Sequence, residues 1–230
     1  MKIDVLPDTD AVAHRAAEII ADAAREAVAV RGQFTFAVSG GRTPWQMLRA
    51  LAALAMPWEK THLYQVDERV APHGDPDRNM THIADSLLAR VQVAPSHVHA
   101  MPVETPDLAA AASRYAQELC AIAGTQPVLD LVHLGLGPDG HTASLVPGDP
   151  ALAVVDAAVA LTEPYQGHRR MTLTFPVLDR ARCVLWVITG AEKVPMLARL
   201  VRRDLTIPAG RVAQDRAVIL TDAAAAAGLR

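Results

Sequence analysis

An aspartate and a histidine two residues apart are the side chains of this sequence best suited to acid–base chemistry. Asp139 and His141 lie in the glycine-rich stretch LGLGPDGHTASLVPG, which follows an apolar run. A nearby carboxylate fixes the tautomer of an imidazole and raises its basicity. A histidine whose pKa lies near the working pH is a suitable general base, worth on the order of 10²–10⁴-fold in rate. We therefore predict that His141 is a general base oriented by Asp139.

Beside this pair, the sequence offers no protein-borne nucleophile. It contains no G-x-S-x-G motif, and neither Cys120 nor Cys183 has a histidine close by. Water is therefore the expected nucleophile. For the two cysteines, which are far apart in sequence, we predict buried reduced thiols, with a disulfide as the alternative.

The same stretch also matches the dinucleotide-binding pattern G-x-G-x-x-G, through Gly135, Gly137 and Gly140. That motif needs its third glycine to open a long helix. Here Pro147 and Pro150 would end a helix within two turns, and the Asp139 carboxylate would repel a pyrophosphate. We reject a nucleotide site and expect a short helix that starts at His141.

A second stretch has the properties of an anion site at a helix start. The apolar run FTFAV is followed by Ser39, Gly40, Gly41, Arg42 and Thr43. We predict that Thr43 is the N-cap of the next helix and that Pro44 is its first residue. Glycines admit a ligand close to the backbone, free N–H groups attract an anion, and a guanidinium suits phosphate. A strand-to-helix turn without a ligand is the alternative, and a Walker loop is excluded by its missing lysine.

Three adjacent charges, Asp67, Glu68 and Arg69, follow the run LYQV, and we place them at the end of a strand. Because buried charges are costly, they should be solvated, mutually paired or functional.

Two further patterns, H-x-D-x-D and H-x-H, have spacings that suggest a metal; they contain His73, Asp75, Asp77, His97 and His99. No H-E-x-x-H or paired C-x-x-C supports them, and such residues are ordinary in turns. We predict no metal site.

Basic residues occur near two later strands. Arg169 and Arg170 precede the run MTLTF, and Lys193 lies in the first turn predicted after WVITG. A cation at a helix start is misplaced electrostatically unless an anion is nearby. This favours a phosphate shared by Arg42, Lys193 and Arg170, whereas ordinary surface residues are the alternative.

Short apolar runs alternate with alanine-rich helical stretches through most of the chain. The runs are QFTFAVS, HLYQVD, VLDLVHL, MTLTF, CVLWVIT and RAVILT. Their continuous apolar character predicts an α/β fold, an open, mostly parallel sheet with helices on both faces. MTLTF alternates in polarity, which favours a more exposed, antiparallel strand. No long linker divides the chain, so we predict one domain over residues 1–230. Such a sheet places its chemistry at the carboxyl ends of its strands.

Composition excludes several partners. The chain has 230 residues, is 51% hydrophobic and carries a formal net charge of −3. We therefore expect no nucleic-acid or membrane partner. With no signal peptide recognised, we predict a cytoplasmic protein that is a monomer or a weak homo-oligomer.

Taken together, these stretches resemble the 6-phosphogluconolactonase family, within the glucosamine-6-phosphate isomerase/6-phosphogluconolactonase superfamily. The matching pieces, in the family's order, are SGGRTP, VDERVAP, DPDRNM, LGLGPDGHTASL, RMTLTFPVL and TGAEK. The resemblance implies the open sheet of glucosamine-6-phosphate isomerase/deaminase, hydrolysis of 6-phospho-D-glucono-1,5-lactone in the oxidative pentose phosphate pathway, and no cofactor. Arg78 stands where the family often has serine.

Roles carried over by position agree with the chemistry. His141 would activate water with Asp139 orienting it, and Arg69 would steady the charge at the carbonyl. Asp67 would contact sugar hydroxyls. The phosphate end would comprise Ser39, Gly40, Gly41, Arg42, Thr43, Lys193 and Arg170, the last fitting the family's arginine better than Arg169.

Two rival functions share this scaffold. The isomerase/deaminase family has a glutamate in an N-E-P segment after its D-G-H loop, whereas this loop has no acid before Asp149. That family also has tyrosine where this chain has Arg69. A non-catalytic sugar-phosphate sensor would usually carry a DNA-binding domain, which we do not expect here, and would not need the Asp139–His141 pair.

Overall fold

The computed structural model describes residues 1–229, which contain ten strands and seven α-helices. The strands are β1 (Lys2–Leu6), β2 (Phe34–Val38), β3 (Thr61–Gln65), β4 (Asp67–Arg69), β5 (Val98–His99), β6 (Leu131–Leu134), β7 (Val159–Leu161), β8 (Arg170–Leu173), β9 (Val184–Ile188) and β10 (Ala217–Asp222). The helices are α1 (Thr9–Arg31), α2 (Arg42–Ala52), α3 (Asn79–Ile83), α4 (Leu108–Ala123), α5 (Phe175–Arg180), α6 (Val194–Val201) and α7 (Pro208–Arg211).

Seven of these strands form one open parallel sheet in the order β1-β10-β9-β6-β2-β3-β5. The predicted α/β architecture with a mostly parallel sheet is confirmed. Because parallel strands need a crossover, helices connect most of the neighbours and cover the sheet.

The alternation of side chains along each strand divides the core into two clusters, one on each face of the sheet. In β9, Val184, Trp186 and Ile188 belong to one cluster, and Leu185 and Val187 belong to the other. This period of two explains why the run is apolar throughout.

Helices complete both clusters. Ile20 of α1 and Leu48 of α2 are fully buried on one face. Tyr115 of α4, Val177 of α5 and Leu197 of α6 are buried on the other. Helices therefore lie on both faces, as predicted.

A second, three-stranded antiparallel sheet has the order β4-β8-β7. Val66 joins the two sheets, because its N–H donates to Val38 O and its carbonyl accepts from the N–H of Leu173. The antiparallel strand expected at MTLTF is confirmed, but the expectation that this strand is more exposed is wrong, because all four residues of β8 are buried between β4 and β7. The prediction that Asp67, Glu68 and Arg69 lie at the end of a strand is wrong, because the preceding strand β3 ends at Gln65 and these three residues form the separate strand β4 of the small sheet.

Two local predictions at helix starts are wrong. No helix begins at His141; residues 141–149 form turns, including a bridge between Thr142 and Leu145. The N-cap of α2 is Gly41 rather than Thr43, and Pro44 is its third residue rather than its first. The hydroxyl of Thr43 is engaged elsewhere, with Thr189, which removes it from capping.

Cys120 and Cys183 are free, as predicted, but both are half-buried rather than buried. Burial raises the pKa of the Cys183 thiol. Among the described helices, none combines the length and apolar character needed to cross a membrane.

Candidate active site

The loops that follow β2, β6 and β9 enclose a cavity of about 880 Å³ at the carboxyl ends of the main sheet. Its walls include most of the residues predicted for the site, namely Ser39, Gly40, Gly41, Arg42, Thr43, Asp67, Arg69, His141, Arg170 and Lys193. Asp139 does not line the cavity but lies behind His141. The topology therefore brings together side chains that are up to 154 positions apart between Ser39 and Lys193.

Asp139 and His141 contact each other directly. Nδ1 of His141 lies 2.6 Å from Oδ1 of Asp139, and the backbone N–H of His141 donates to the same oxygen over 3.1 Å. The hydroxyl of Tyr165 donates to Oδ2 over 3.0 Å. Burial pushes the pKa of Asp139 up, but these hydrogen bonds and the imidazole outweigh burial and lower it. Asp139 is therefore held as a carboxylate.

The glycines of this loop leave room for the imidazole ring of His141. A Cβ at Gly137 would overlap the His141 ring, so only glycine allows the ring to lie there. Gly140 has a φ of 84°, a left-handed conformation that favours glycine, and its N–H donates to Gly137 O. The N–H of Gly137 donates in turn to His141 O. The glycines of this loop thus serve backbone geometry and close approach, not a pyrophosphate.

Glu68 is a structural carboxylate. It is fully buried and accepts from the N–H groups of Asn79 and Met80 over 2.7 and 2.8 Å, at the start of α3. A carboxylate at this end of a helix satisfies free N–H groups and complements the helix dipole. Of the three possibilities for the charged stretch, Glu68 fits neither solvation nor pairing with Asp67 or Arg69, because it is buried and its carboxylate is satisfied by the N–H groups of α3.

Asp67 faces the cavity while accepting hydrogen bonds from three side chains. They are the hydroxyls of Ser39 and Ser144, over 3.3 and 2.6 Å, and the amide of Asn79 over 3.4 Å. Three donors satisfy the hydrogen-bonding capacity of this buried carboxylate. Its contact with sugar hydroxyls stays a prediction.

Two arginines lie opposite each other on neighbouring strands of the small sheet. Arg69 is the register partner of Arg170, and both line the cavity. Like charges in directly opposed positions are destabilising. Burial, followed by the neighbouring guanidinium of Arg69, lowers the pKa of Arg170. The Nε atoms of both residues are buried without a hydrogen-bond partner in the described part of the chain. This pair favours an anionic ligand.

Arg169, the other candidate, is exposed and lies outside the cavity lining. Its Nε donates to Thr162 O instead.

The start of α2 is free to bind an anion. No side chain caps its N-terminus, and Gly41 is the N-cap with a φ of 135°. Arg42 is exposed at the cavity wall. Across the cavity, Lys193 precedes α6, and its Nζ donates to Leu136 O over 2.8 Å. Arg42 and Lys193 therefore line the same cavity. That they share an anion there stays a prediction.

The sequence analysis missed four residues that contact the predicted ones: Asn79, Ser144, Tyr165 and Gln166. It also missed Glu192 in the cavity wall. Asn79, Ser144 and Glu192 lie within the stretches singled out, but no local spacing signals which distant side chains they meet.

The patterns that suggested a metal do not converge. Within residues 1–229, no group of three or more His, Cys, Asp and Glu side chains is arranged to hold an ion. His97 and His99 lie instead beside His62 at the edge of the main sheet.

Comparisons with known proteins identify the family of this chain. The family model described as glucosamine-6-phosphate isomerases/6-phosphogluconolactonase matches residues 7–220. A 6-phosphogluconolactonase of Nostoc sp. is 36% identical and covers 99% of this chain and 98% of the relative.

Two solved structures share the fold. The 6-phosphogluconolactonase of Thermotoga maritima is 27% identical with a TM-score of 0.86, covering 96% of this chain and 98% of that one. A monomeric glucosamine-6-phosphate deaminase has a TM-score of 0.86 at 19% identity, with 99% and 100% covered, and this shows the fold alone. On the family match and the relative together, the chain belongs to the glucosamine-6-phosphate isomerase/6-phosphogluconolactonase family.

Proposed function

We propose that this protein is a 6-phosphogluconolactonase, which hydrolyses 6-phospho-D-glucono-1,5-lactone to 6-phospho-D-gluconate in the oxidative pentose phosphate pathway. The observation that carries the proposal is that His141, held by Asp139, lines the same cavity as Arg42, Arg170 and Lys193. A general base and a cationic cluster in one cavity suit a substrate with an ester carbon and a phosphate. The relatives bearing this name support the same activity.

The hydrogen bond to Asp139 sets the tautomer of His141. With Nδ1 protonated and bound to the carboxylate, Nε2 is the basic atom. As Nε2 takes a proton from water, the water oxygen bonds to the lactone carbonyl carbon and the π electrons move to the carbonyl oxygen. Asp139, ionised because its pKa is lowered, stabilises the imidazolium that forms.

Collapse of the tetrahedral intermediate completes the reaction. The bond between the carbonyl carbon and the ring oxygen breaks, and the imidazolium returns its proton to that oxygen, which becomes a hydroxyl. The carboxylic acid formed at the carbonyl carbon then releases its proton to solvent, which gives 6-phospho-D-gluconate. Arg69 lines the cavity and is assigned to the oxyanion. A donor aimed at such an oxygen is worth about 3–4 kcal/mol.

The phosphate is assigned to the start of α2 and to the basic side chains around it. Arg42, Lys193 and Arg170 supply charge, and the N–H groups around Gly40 and Gly41 supply donors. Binding this distant group positions the ring for attack without entering the chemistry. These residue roles, a cytoplasmic location, one domain over residues 1–230 and a monomer or weak homo-oligomer are part of the proposal.

The isomerase/deaminase activity is the rival, because that family shares the scaffold. Its glutamate has no counterpart in the loop after His141. Asp149, the first acid there, caps the following turn through Ala151 N over 2.8 Å and accepts from Glu163 N over 3.0 Å. Asp149 also lies outside the cavity lining.

The decisive experiment follows acid release from freshly prepared 6-phosphogluconolactone, with glucosamine 6-phosphate as the control substrate. We expect rapid lactone hydrolysis above the spontaneous rate and no ammonia from the amino sugar. His141→Ala should lower kcat by about 10²-fold or more, since a general base is worth that much. Calorimetry should still detect binding of 6-phosphogluconate to this variant. Ammonia release without lactone hydrolysis, or full turnover by His141→Ala, would refute the proposal.

A further inference from the structure

The connection between β7 and β8 is a tight turn at the edge of the cavity. The N–H of Tyr165 donates to His168 O over 2.9 Å, and the two central residues, Gln166 and Gly167, have φ values of 50° and 85°. Positive φ at both central positions is typical of the turn that best matches strand twist. The turn is therefore a defined element that can hold a side chain in place.

Tyr165 contacts both parts of the candidate active site from this turn. Its hydroxyl donates to Oδ2 of Asp139 over 3.0 Å, and its ring lies edge-on to the His141 ring at 5.5 Å between centroids. The guanidinium carbon of Arg170 lies 5.0 Å from the centre of the same ring. At that distance a cation is attracted by the face of an aromatic ring.

Building on the lactonase activity proposed above, we propose that Tyr165 is a positioning residue for the reaction. Its hydroxyl fixes Asp139 behind His141, and its ring fixes Arg170 at the cavity wall. Tyr165 thereby positions both Asp139, which orients the base, and Arg170, which is assigned to the anion.

The two oxygens of the Asp139 carboxylate have different hydrogen-bond partners. Both hydrogen bonds from His141, one from the ring and one from the backbone, go to Oδ1. Oδ2 accepts from Tyr165. The Tyr165 hydroxyl is thus a donor that acts on the oxygen turned away from His141 and limits rotation of the carboxylate.

The hydroxyl also sets the electrostatic field at His141. Its dipole partly offsets the negative charge of Asp139, so its removal leaves a stronger field favouring the imidazolium. The other charged groups facing this region are Arg170 on β8 and Arg69 on β4, with Lys193 anchored to the loop that carries His141. A substitution at Tyr165 that keeps the ring changes none of these charges.

Tyr165→Phe isolates the hydroxyl. We expect the midpoint of the His141 titration, followed by NMR on the ligand-free protein, to rise, because the Asp139 carboxylate without the Tyr165 hydroxyl interacts more strongly with the imidazolium. The lower limb of the pH profile of kcat/KM should move in the same direction. Loss of alignment should lower kcat about 3- to 10-fold, and KM should change little.

Tyr165→Ala removes the ring as well. Because Arg170 then loses its aromatic support, KM for the phosphorylated lactone should rise in addition to the fall in kcat. The control is Glu163→Gln, a charge change on an exposed position of the same hairpin and outside the cavity lining. Its His141 midpoint and kcat should match the unmodified protein.

An unchanged or lowered His141 midpoint in Tyr165→Phe would overturn the assignment, as would equal KM values in the Phe and Ala variants. The NMR titration does not depend on turnover. If the unmodified protein shows no lactonase activity, the function fails; if it is active and Tyr165→Phe is indistinguishable from it, only the role of Tyr165 fails.

Discussion

At the scale of single residues, the reactive geometry depends on a missing side chain. Gly137 leaves the space in which the His141 ring lies against Asp139. Gly137→Ala adds one methyl group there, so the ring must move away from its carboxylate. We expect kcat to fall by about 10²-fold, comparable to loss of a general base, while the melting temperature changes little because the atoms nearest the added methyl group belong to the His141 side chain, which can move, and not to the backbone. Steady-state kinetics and thermal unfolding check this.

Gly135→Ala is the matched control in the same motif. A Cβ at Gly135 meets no atom within 4 Å, and its backbone does not have a positive φ. The same methyl group should therefore cost much less activity. Equal losses in the two variants would mean that loop flexibility, and not the space for the imidazole, is what the glycines provide.

At the scale of elements, the sequence predicted the strands that are covered on both faces. The run CVLWVIT corresponds to β9 and RAVILT to β10, because buried parallel strands need continuous apolar sequences. The motifs after β2 and β6 were also placed on the correct edge of the sheet, since topology alone brings carboxyl ends together.

The elements that sequence reasoning missed are those decided by distant partners. Asp67–Arg69 form β4 only because β8 lies opposite them, more than 100 residues later. Thr43 has the composition of an N-cap, but its hydroxyl bonds to Thr189. The helix expected at His141 is absent because turns and the Thr142–Leu145 bridge occupy that segment. Single-sequence propensities cannot include such tertiary competition.

A histidine cluster at the sheet edge gives a further element-scale prediction. His62 Nδ1 lies 3.1 Å from His99 Nε2, and His99 stacks on Tyr64 at 4.2 Å. Burial, and then the neighbours His62 and His97, lower the pKa of His99 to about 4. Glu118 approaches from α4, with 3.9 Å between its carboxylate and His99 Nδ1. The folded protein therefore holds His99 neutral where the unfolded chain would protonate it.

Because the folded-state pKa is depressed below the unfolded value of 6.5, this contribution to stability is complete above pH 6.5 and is lost progressively as the pH falls towards 4. In His99→Phe, which can still stack on Tyr64, the loss of unfolding free energy between pH 7.5 and 5.0 should be smaller by on the order of 1–2 kcal/mol after solvent screening. Urea unfolding at the two pH values measures it. His14→Gln, at an exposed site on α1, should keep the full pH dependence. Identical pH dependence in His99→Phe and the unmodified protein would contradict a neutral His99.

At the scale of the whole molecule, the charge of the cavity opposes that of the chain. The chain has a formal net charge of −3. The cavity is lined by five cations against two carboxylates, Asp67 and Glu192; the cations are Arg42, Arg49, Arg69, Arg170 and Lys193. An anionic substrate is therefore attracted by a local field and not by the net charge. Salt screens such a field, since the Debye length shortens from about 30 Å at 0.01 M to about 8 Å at 0.15 M.

Two ends of one helix allow this local field to be tested. Lys193 is the N-cap of α6 in the cavity wall, and Arg202 is its C-cap, exposed and outside the lining. Lys193→Ala should raise KM for 6-phosphogluconolactone about tenfold with kcat nearly unchanged, and should weaken the fall of kcat/KM with salt. Arg202→Ala removes the same charge about 13 Å further along the helix and should leave both quantities unchanged. If the two variants respond alike, the net charge of the molecule governs capture of the substrate. If Lys193→Ala lowers kcat with KM intact, Lys193 acts on the reacting atoms and not on the phosphate.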